Sequence, residues 1–260
     1  LSDRPAYLLV FHGSRDSRPR LAVDRLADLV RARLAAREEV IVTGTCSAAV
    51  SLLDRPEILL ETASLEFAIP LHERIGIFAR EAADRGFNRL KIVPLFLLRG
   101  VHVRDDIPRE VSLARSILPV EIAPHIGEYR ELANIAARSF DRHPGAARIL
   151  LAHGSRLPEG RAAIASLADR LNASFAFWSV APGLRDTLET LIASGQTSIV
   201  VLPYFLFAGA ITDEIERQVH DLSQRHTNVN IALEYPLGAT EELARAVAKG
   251  ALLANAEALQ

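Results

Sequence analysis

Tyr7-Leu-Leu-Val-Phe-His12-Gly-Ser14 decides the fold, because the chain repeats it as Arg148-Ile-Leu-Leu-Ala-His153-Gly-Ser155. Each copy is a short apolar run ending in His-Gly-Ser. After the first come apolar residues at helical spacing: Leu21, Val23, Leu26, Leu29, Val30 and Leu34. That pattern reads as a buried strand feeding an amphipathic helix. A second pair of blocks repeats as well. Lys91-Ile-Val-Pro94-Leu-Phe-Leu-Leu-Arg-Gly100 returns as Ile199-Val-Val-Leu-Pro203-Tyr-Phe-Leu-Phe-Ala-Gly209. Beyond it the copies part: the first continues Val101-His102-Val-Arg104-Asp105-Asp106, the second Ala210-Ile211-Thr212-Asp213-Glu214, without a histidine. Two copies of one fold, only one with a second histidine, describe a duplicated enzyme that kept a single complete site.

Buried strands alternating with amphipathic helices predict an α/β chain of parallel sheets covered on both faces. In the first half the strands are expected at Ala6–Phe11, near Val40–Thr43, near Ser64–Ala68, at Leu90–Leu95 and at Val120–Ala123. Helices are expected near Leu71–Arg85, Arg104–Ser116 and Glu128–Arg142. The second half reads as strands Ile149–Ala152, Ser174–Ser179, Ser198–Leu202 and Val229–Glu234, with intervening helices and a closing helix from Thr240. Asp141-Arg-His-Pro-Gly145 marks the boundary, giving domains 1–144 and 145–260. Gly44–Glu61 has no counterpart in the second half and reads as an insertion, either a surface excursion or a lid or dimer element.

Bulk composition narrows the function. Apolar residues make up 49% and charged residues 24%, enough for two cores, and the net charge of −2 gives no electrostatic case for nucleic acid or an anionic membrane. A single cysteine, Cys46, excludes an internal disulfide and fits a reducing compartment. No apolar run approaches the ~20 residues of a membrane span. The polar start Leu1-Ser-Asp-Arg-Pro5 leads straight into a strand, so a cytoplasmic protein is expected, although a start without Met leaves room for residues upstream.

Ligands of open parallel sheets bind beyond the carboxyl ends of the strands. His12, Glu66 and His102 follow three different strands at that edge, and two imidazoles with one carboxylate suit a divalent first-row metal with positions left open. The second half keeps His153, with Trp178 falling about where Glu66 would and Ile211 where His102 would. His153 alone reads as a hydrogen-bonded structural residue, and Glu66 could equally be a solvated or Arg-paired carboxylate. Arg15, Arg18, Arg99 and Arg104 cluster around the rim and suit a substrate with several carboxylates, or balance nearby acids. Ser14 and Ser155 can bind such groups or cap the following helices. Asp105 and Asp106 open a helix, where acids favour the dipole, and Asp106 can also orient His102. There is no Walker A sequence and no Gly-x-Gly-x-x-Gly, and Phe11-His-Gly lacks the Arg that phosphohistidine enzymes place before His-Gly.

Phe11-His-Gly-Ser14, Val93-Pro-Leu-Phe-Leu-Leu-Arg-Gly-Val-His102-Val-Arg-Asp-Asp106-Ile-Pro108 and Leu202-Pro-Tyr-Phe-Leu-Phe-Ala-Gly209 resemble the sirohydrochlorin chelatases. These are class II metal chelatases of tetrapyrrole synthesis, here in the long form that fuses two chelatase domains. The resemblance spans nearly the whole chain outside Gly44–Glu61. It implies two flavodoxin-like, chelatase-like domains with a cleft between them, and a lyase with His12 and His102 as metal ligands. Glu66 matches the family's acidic residue, and Ser14, Arg15, Arg99, Arg104 and Ser155 become candidates for holding the substrate.

Insertion requires partial desolvation of the ion, loss of two pyrrole N–H protons and a bent macrocycle. Neutral imidazole is the ligand state, so metal binding is expected to weaken as pH falls through ~6.5, the unperturbed His value. His102 or Glu66 would take the protons. The expected substrates are sirohydrochlorin and Fe²⁺, giving siroheme, with Co²⁺ towards cobalamin as the alternative; no further cofactor is required. A non-catalytic tetrapyrrole or metal carrier is the rival from another class. Two fused copies are expected to stand in for a homodimer, making the chain a monomer.

Overall fold

The computed structural model describes residues 3–43, 57–155 and 157–252, with the backbone alone for 37–43. Two four-stranded parallel sheets carry the fold, in the orders β2-β1-β3-β4 and β6-β5-β7-β8. The first sheet contains β1 (Pro5–Phe11), β2 (Leu60–Ser64), β3 (Arg89–Pro94) and β4 (Val120–Ile122). The second contains β5 (Ala147–Ala152), β6 (Ser174–Phe177), β7 (Ser198–Pro203) and β8 (Asn230–Leu233). The helices are α1 (Ser17–Thr43), α2 (Leu71–Asp84), α3 (Ile107–Leu113), α4 (Arg130–Asp141), α5 (Pro158–Arg170), α6 (Leu184–Ala193), α7 (Ala210–Arg225) and α8 (Glu241–Leu252).

Side-chain alternation explains why β1 is buried on both faces. Ala6, Leu8 and Val10 meet Leu90 and Ile92 of β3 and the apolar stripe Leu71, Ile75, Phe78 and Ala82 of α2. Tyr7 and Leu9 point the other way and are equally buried, as are Val23, Leu26, Val30 and Leu34 on α1. The second sheet repeats this scheme, with Ile149, Leu151, Ile199 and Val201 packed on Leu184 and Leu188 of α6 and Ile215, Val219 and Leu222 of α7.

Sequence repeat and packing unit divide the molecule differently. One compact unit comprises Leu1–Phe96, Val101–Tyr129 and Ala239–Gln260; the other comprises Leu97–Gly100 and Arg130–Gly238. The closing helices are therefore exchanged. Helix α8, from the end of the chain, packs on α1 of the first unit, and α4 packs on β7 of the second. Three contacts secure α8. Lys91 Nζ donates to the Ala251 carbonyl at 3.1 Å, and Arg33 pairs with Glu241 at 2.6 Å. Gly250 lies so close to the Tyr129 ring that a Cβ there would stand 2.1 Å from Cζ.

The structure corrects several sequence expectations. The segment Val40–Thr43 is the end of α1, a helix of 27 residues, not a strand. Its β-branched residues carry a penalty of only a few tenths of a kcal/mol each, which an established helix outruns. The neighbouring strand is Leu60–Ser64, so the register expected at Ser64–Ala68 moves back and Glu66 stands just past the strand end. Glu61, assigned to the insertion, lies within β2 and pairs with Leu8. Leu59 is in the core. The rest of that insertion, 44–56, lies outside the described residues. Among the described residues no helix is long and apolar enough to cross a membrane.

Candidate metal centre

Strand order places β1 in the interior of the first sheet, flanked by β2 and β3. The first crossover runs from β1 to β2 on one side and the next returns to β3 on the other, the reversal of strand order that opens a crevice at the carboxyl end. His12 follows β1 there, and the backbone N–H of Glu66 donates to the His12 carbonyl at 3.0 Å, continuing the ladder beyond β2. Gly13 makes this approach possible. Its φ is +97°, and a Cβ would stand 2.4 Å from the Glu66 carbonyl oxygen.

His102 arrives by a different device. Residues His102–Asp106 form a π-turn, closed by the N–H of Ile107 donating to the His102 carbonyl, and α3 follows directly. Pro108, at the start of α3, has no N–H to bond back to the Arg104 carbonyl, which favours the wider turn at this point. The turn sets the Asp106 carboxylate 2.8 Å from Nδ1 of His102. A carboxylate at this bond accepts, so Nδ1 is the donor, and in the neutral ring Nε2 is left with the lone pair. His12 is arranged the same way, with Nδ1 donating to the Gly13 carbonyl at 3.0 Å. Both imidazoles therefore present Nε2 as a ligand atom.

The two rings meet edge to face at 4.7 Å, and Phe96 lies 5.9 Å from His102. His12 Nε2 stands 3.8 Å from Glu66 Oε1. One ligand atom from each of His12, Glu66 and His102 falls within 4.8 Å of the others. Donors around one ion at ~2.1 Å are separated by roughly 3–4 Å, so small side-chain rotations complete the set. Among the described residues this is the one such group of three or more metal-binding side chains. All three are partly open, with side-chain exposures of 50%, 47% and 34% for His12, Glu66 and His102, so an ion held there would be accessible from solvent.

Of the remaining candidates, Arg15 lies over the Phe67 ring at 5.4 Å. Arg18 is engaged by Asp16, and Arg104 by Asp105 at 2.9 Å. Ser14 Oγ accepts from the Asp16 N–H and Ser155 Oγ from the Leu157 N–H, so both cap chain turns. Arg99 and Ser155 belong to the second unit. A polar cavity of about 280 Å³ by Arg20, Asp24, Arg31, Glu61 and Arg74 lies elsewhere. Its charges pair internally, Arg20 with Asp24, Arg31 with Asp28 and Arg74 with Glu61, leaving little to bind a ligand.

The second half shows what is missing. Ser179 N–H donates to the His153 carbonyl at 3.0 Å, just as Glu66 does to His12, so the counterpart of Glu66 is Ser179 and not Trp178. The sequence placed this position one residue early because β6 ends at Phe177. His153 Nδ1 faces the Gly154 carbonyl at 3.3 Å. Ser179 and Ile211 supply neither carboxylate nor imidazole. Phe67 drew no attention in the sequence, where an isolated aromatic carries no periodic signal, and Phe96 entered only as part of a repeated block.

Comparison with known proteins follows the same lines. The CbiX family model matches residues 6–143 and again 147–252. A sirohydrochlorin ferrochelatase of Priestia megaterium is 29% identical over 187 residues, 66% of this chain and 68% of that protein. A sirohydrochlorin cobaltochelatase of the same organism is 24% identical over 195 residues, covering 68% and 63% respectively. The structure of SirB from Bacillus subtilis with Fe³⁺ superposes with a TM-score of 0.71 at 22% identity, over 95% of this chain and 94% of that one.

Proposed function

The chain belongs to the CbiX family, and on that premise we propose that it inserts a divalent metal, Fe²⁺, into sirohydrochlorin. The observation that carries this reading is the convergence of His12, Glu66 and His102 ligand atoms within 4.8 Å of one another at the mouth of one sheet. Two neutral imidazoles and a carboxylate replace part of the ion's water shell while leaving positions for pyrrole nitrogens. The ion is a substrate here, held only until the ring takes it.

Asp106 and the Gly13 carbonyl hold the Nδ1–H of each ring, so each neutral imidazole keeps Nε2 for the ion. Two N–H protons must leave the ring as the ion enters. Glu66 accepts the first, being 3.8 Å from His12 Nε2 and open to water for its release. The second passes to an imidazole freed when the ion moves to the ring. Atoms and charge then balance: one M²⁺ enters and two protons leave.

Cobalt is the second candidate, favoured by the cobaltochelatase relative, since a nitrogen and oxygen set of this kind binds both ions. The test is anaerobic insertion followed by absorbance, with Fe²⁺ and Co²⁺ compared at equal concentration. His12→Ala and His102→Ala should each lower the rate at least tenfold. Wild-type rates in both variants would refute the centre. A protein that binds sirohydrochlorin and metal without accelerating insertion would be a carrier.

A further inference from the structure

Phe67 follows Glu66 and is out of place by every structural criterion. Its φ is +60°, a left-handed conformation that costs a residue with a Cβ roughly 1–2 kcal/mol. The residue is 60% exposed, so the core does not explain it. The corresponding residue of the second half, Val180, one position past the Glu66 counterpart, has no positive φ, and Asn172 is the one other non-glycine residue with this conformation among those described. The strained corner thus occurs only in the half with the complete ligand set.

Arg15 comes from the loop that carries His12, and its guanidinium lies over the Phe67 ring at 5.4 Å. Arg18 and Arg104 are neutralised by Asp16 and Asp105, whereas Arg15 has no carboxylate partner among the described residues. Ile69, two residues beyond Phe67, is 47% exposed, and Val101, next to His102, is 49% exposed. Exposed apolar residues next to Glu66 and His102, and one cation without a carboxylate partner among the described residues, therefore border the ligand set.

We propose that Phe67 and Arg15 form a substrate-positioning pair: the Phe67 ring stacks on the face of a flat conjugated tetrapyrrole, and Arg15 pairs with one of its peripheral carboxylates. This rests on the chelatase reading above. Aromatic stacking is tolerant of ring identity and is largest where the side chain is rigid. The left-handed turn fixes the Phe67 backbone beside the metal ligand, so the ring nitrogens are presented to the ion. Arg15 supplies a charge-assisted contact without first breaking an ion pair.

The test titrates metal-free sirohydrochlorin spectroscopically into wild type, Phe67→Ala, Phe67→Tyr and Arg15→Ala, and measures Co²⁺ binding separately. Phe67→Ala should raise Kd and KM for sirohydrochlorin about tenfold, while Co²⁺ affinity stays within about twofold of wild type. Phe67→Tyr should restore binding, since it keeps the ring. Arg15→Ala should raise the same constants, by a factor that shrinks with added salt. Unchanged sirohydrochlorin constants in Phe67→Ala and Arg15→Ala overturn the pair while leaving the chelatase standing. Loss of Co²⁺ binding in Phe67→Ala also overturns it, by showing that the corner merely holds Glu66. A wild type that neither binds nor metallates sirohydrochlorin removes the proposed function, and this pair with it.

Discussion

The Asp106 carboxylate stands 2.8 Å from Nδ1 of His102 across a π-turn, and this bond aims the ring's other nitrogen at the ligand set. Loss of such a partner typically weakens metal binding by about 10–100-fold. Asp106→Ala should therefore lower Co²⁺ affinity by that factor, read by competition titration with a chromophoric chelator. Asp106→Asn, which can still accept the hydrogen bond, should retain most of it.

Metal stoichiometry follows from the comparison of the halves. Ser179 and Ile211 stand where Glu66 and His102 stand in the first half. Elemental analysis after Co²⁺ loading should give one ion per chain, and His153→Ala should leave both that number and the insertion rate unchanged.

Gly13→Ala should disable the centre although Gly13 contributes no side chain to it. The new Cβ would meet the Glu66 carbonyl oxygen at 2.4 Å, at a φ of +97°. The loop after β2 must move, taking Glu66 with it. Insertion should fall by more than tenfold, and stability by about 1–3 kcal/mol in urea denaturation.

Acid should destabilise the fold through two carboxylates. Burial pushes Glu110 up, but hydrogen bonds from the His72 side chain and backbone, aided by the charges of His72 and Arg109, outweigh it and hold the group below its ordinary 4.5. Burial likewise raises Glu234, and Arg142 and His143 bring it below that value. Folded values below unfolded ones mean stability that is present above pH ~4.5 and lost as pH falls through the folded values. Melting temperatures measured from pH 7 to pH 3 should drop in that window, and Glu234→Gln should flatten the fall while lowering stability at pH 7.

Helix α8 should be indispensable to the first sheet. Gly250→Ala would drive a methyl group into the Tyr129 ring, whose hydroxyl is tied to the Pro124 carbonyl at 2.9 Å. A loss of about 1–3 kcal/mol is expected from calorimetry. A nearly neutral change would mean that α8 is not seated there in solution.

Much of this was legible in the sequence because it depends on local pattern. The repeated His-Gly-Ser blocks located β1 and β5, and the block ending at His102 located the second imidazole. What escaped was set by long-range packing. Val40-Ile-Val42 has the composition of a strand yet continues α1, since propensity yields to a helix already formed. Phe67 in a left-handed corner, and the bond pairing Ser179 with His153, belong to tertiary geometry that no periodicity encodes. The destination of α8 was equally hidden, because an amphipathic helix does not declare which sheet it will cover.

That destination bears on how such a chain can be divided. If the gene were cut near Gly145, each product would lack the segment that seals its own sheet, and neither should be expressed in folded form by itself. Produced together, the two pieces should assemble by trading their last helices, which makes the fusion a permanent version of a swapped pair.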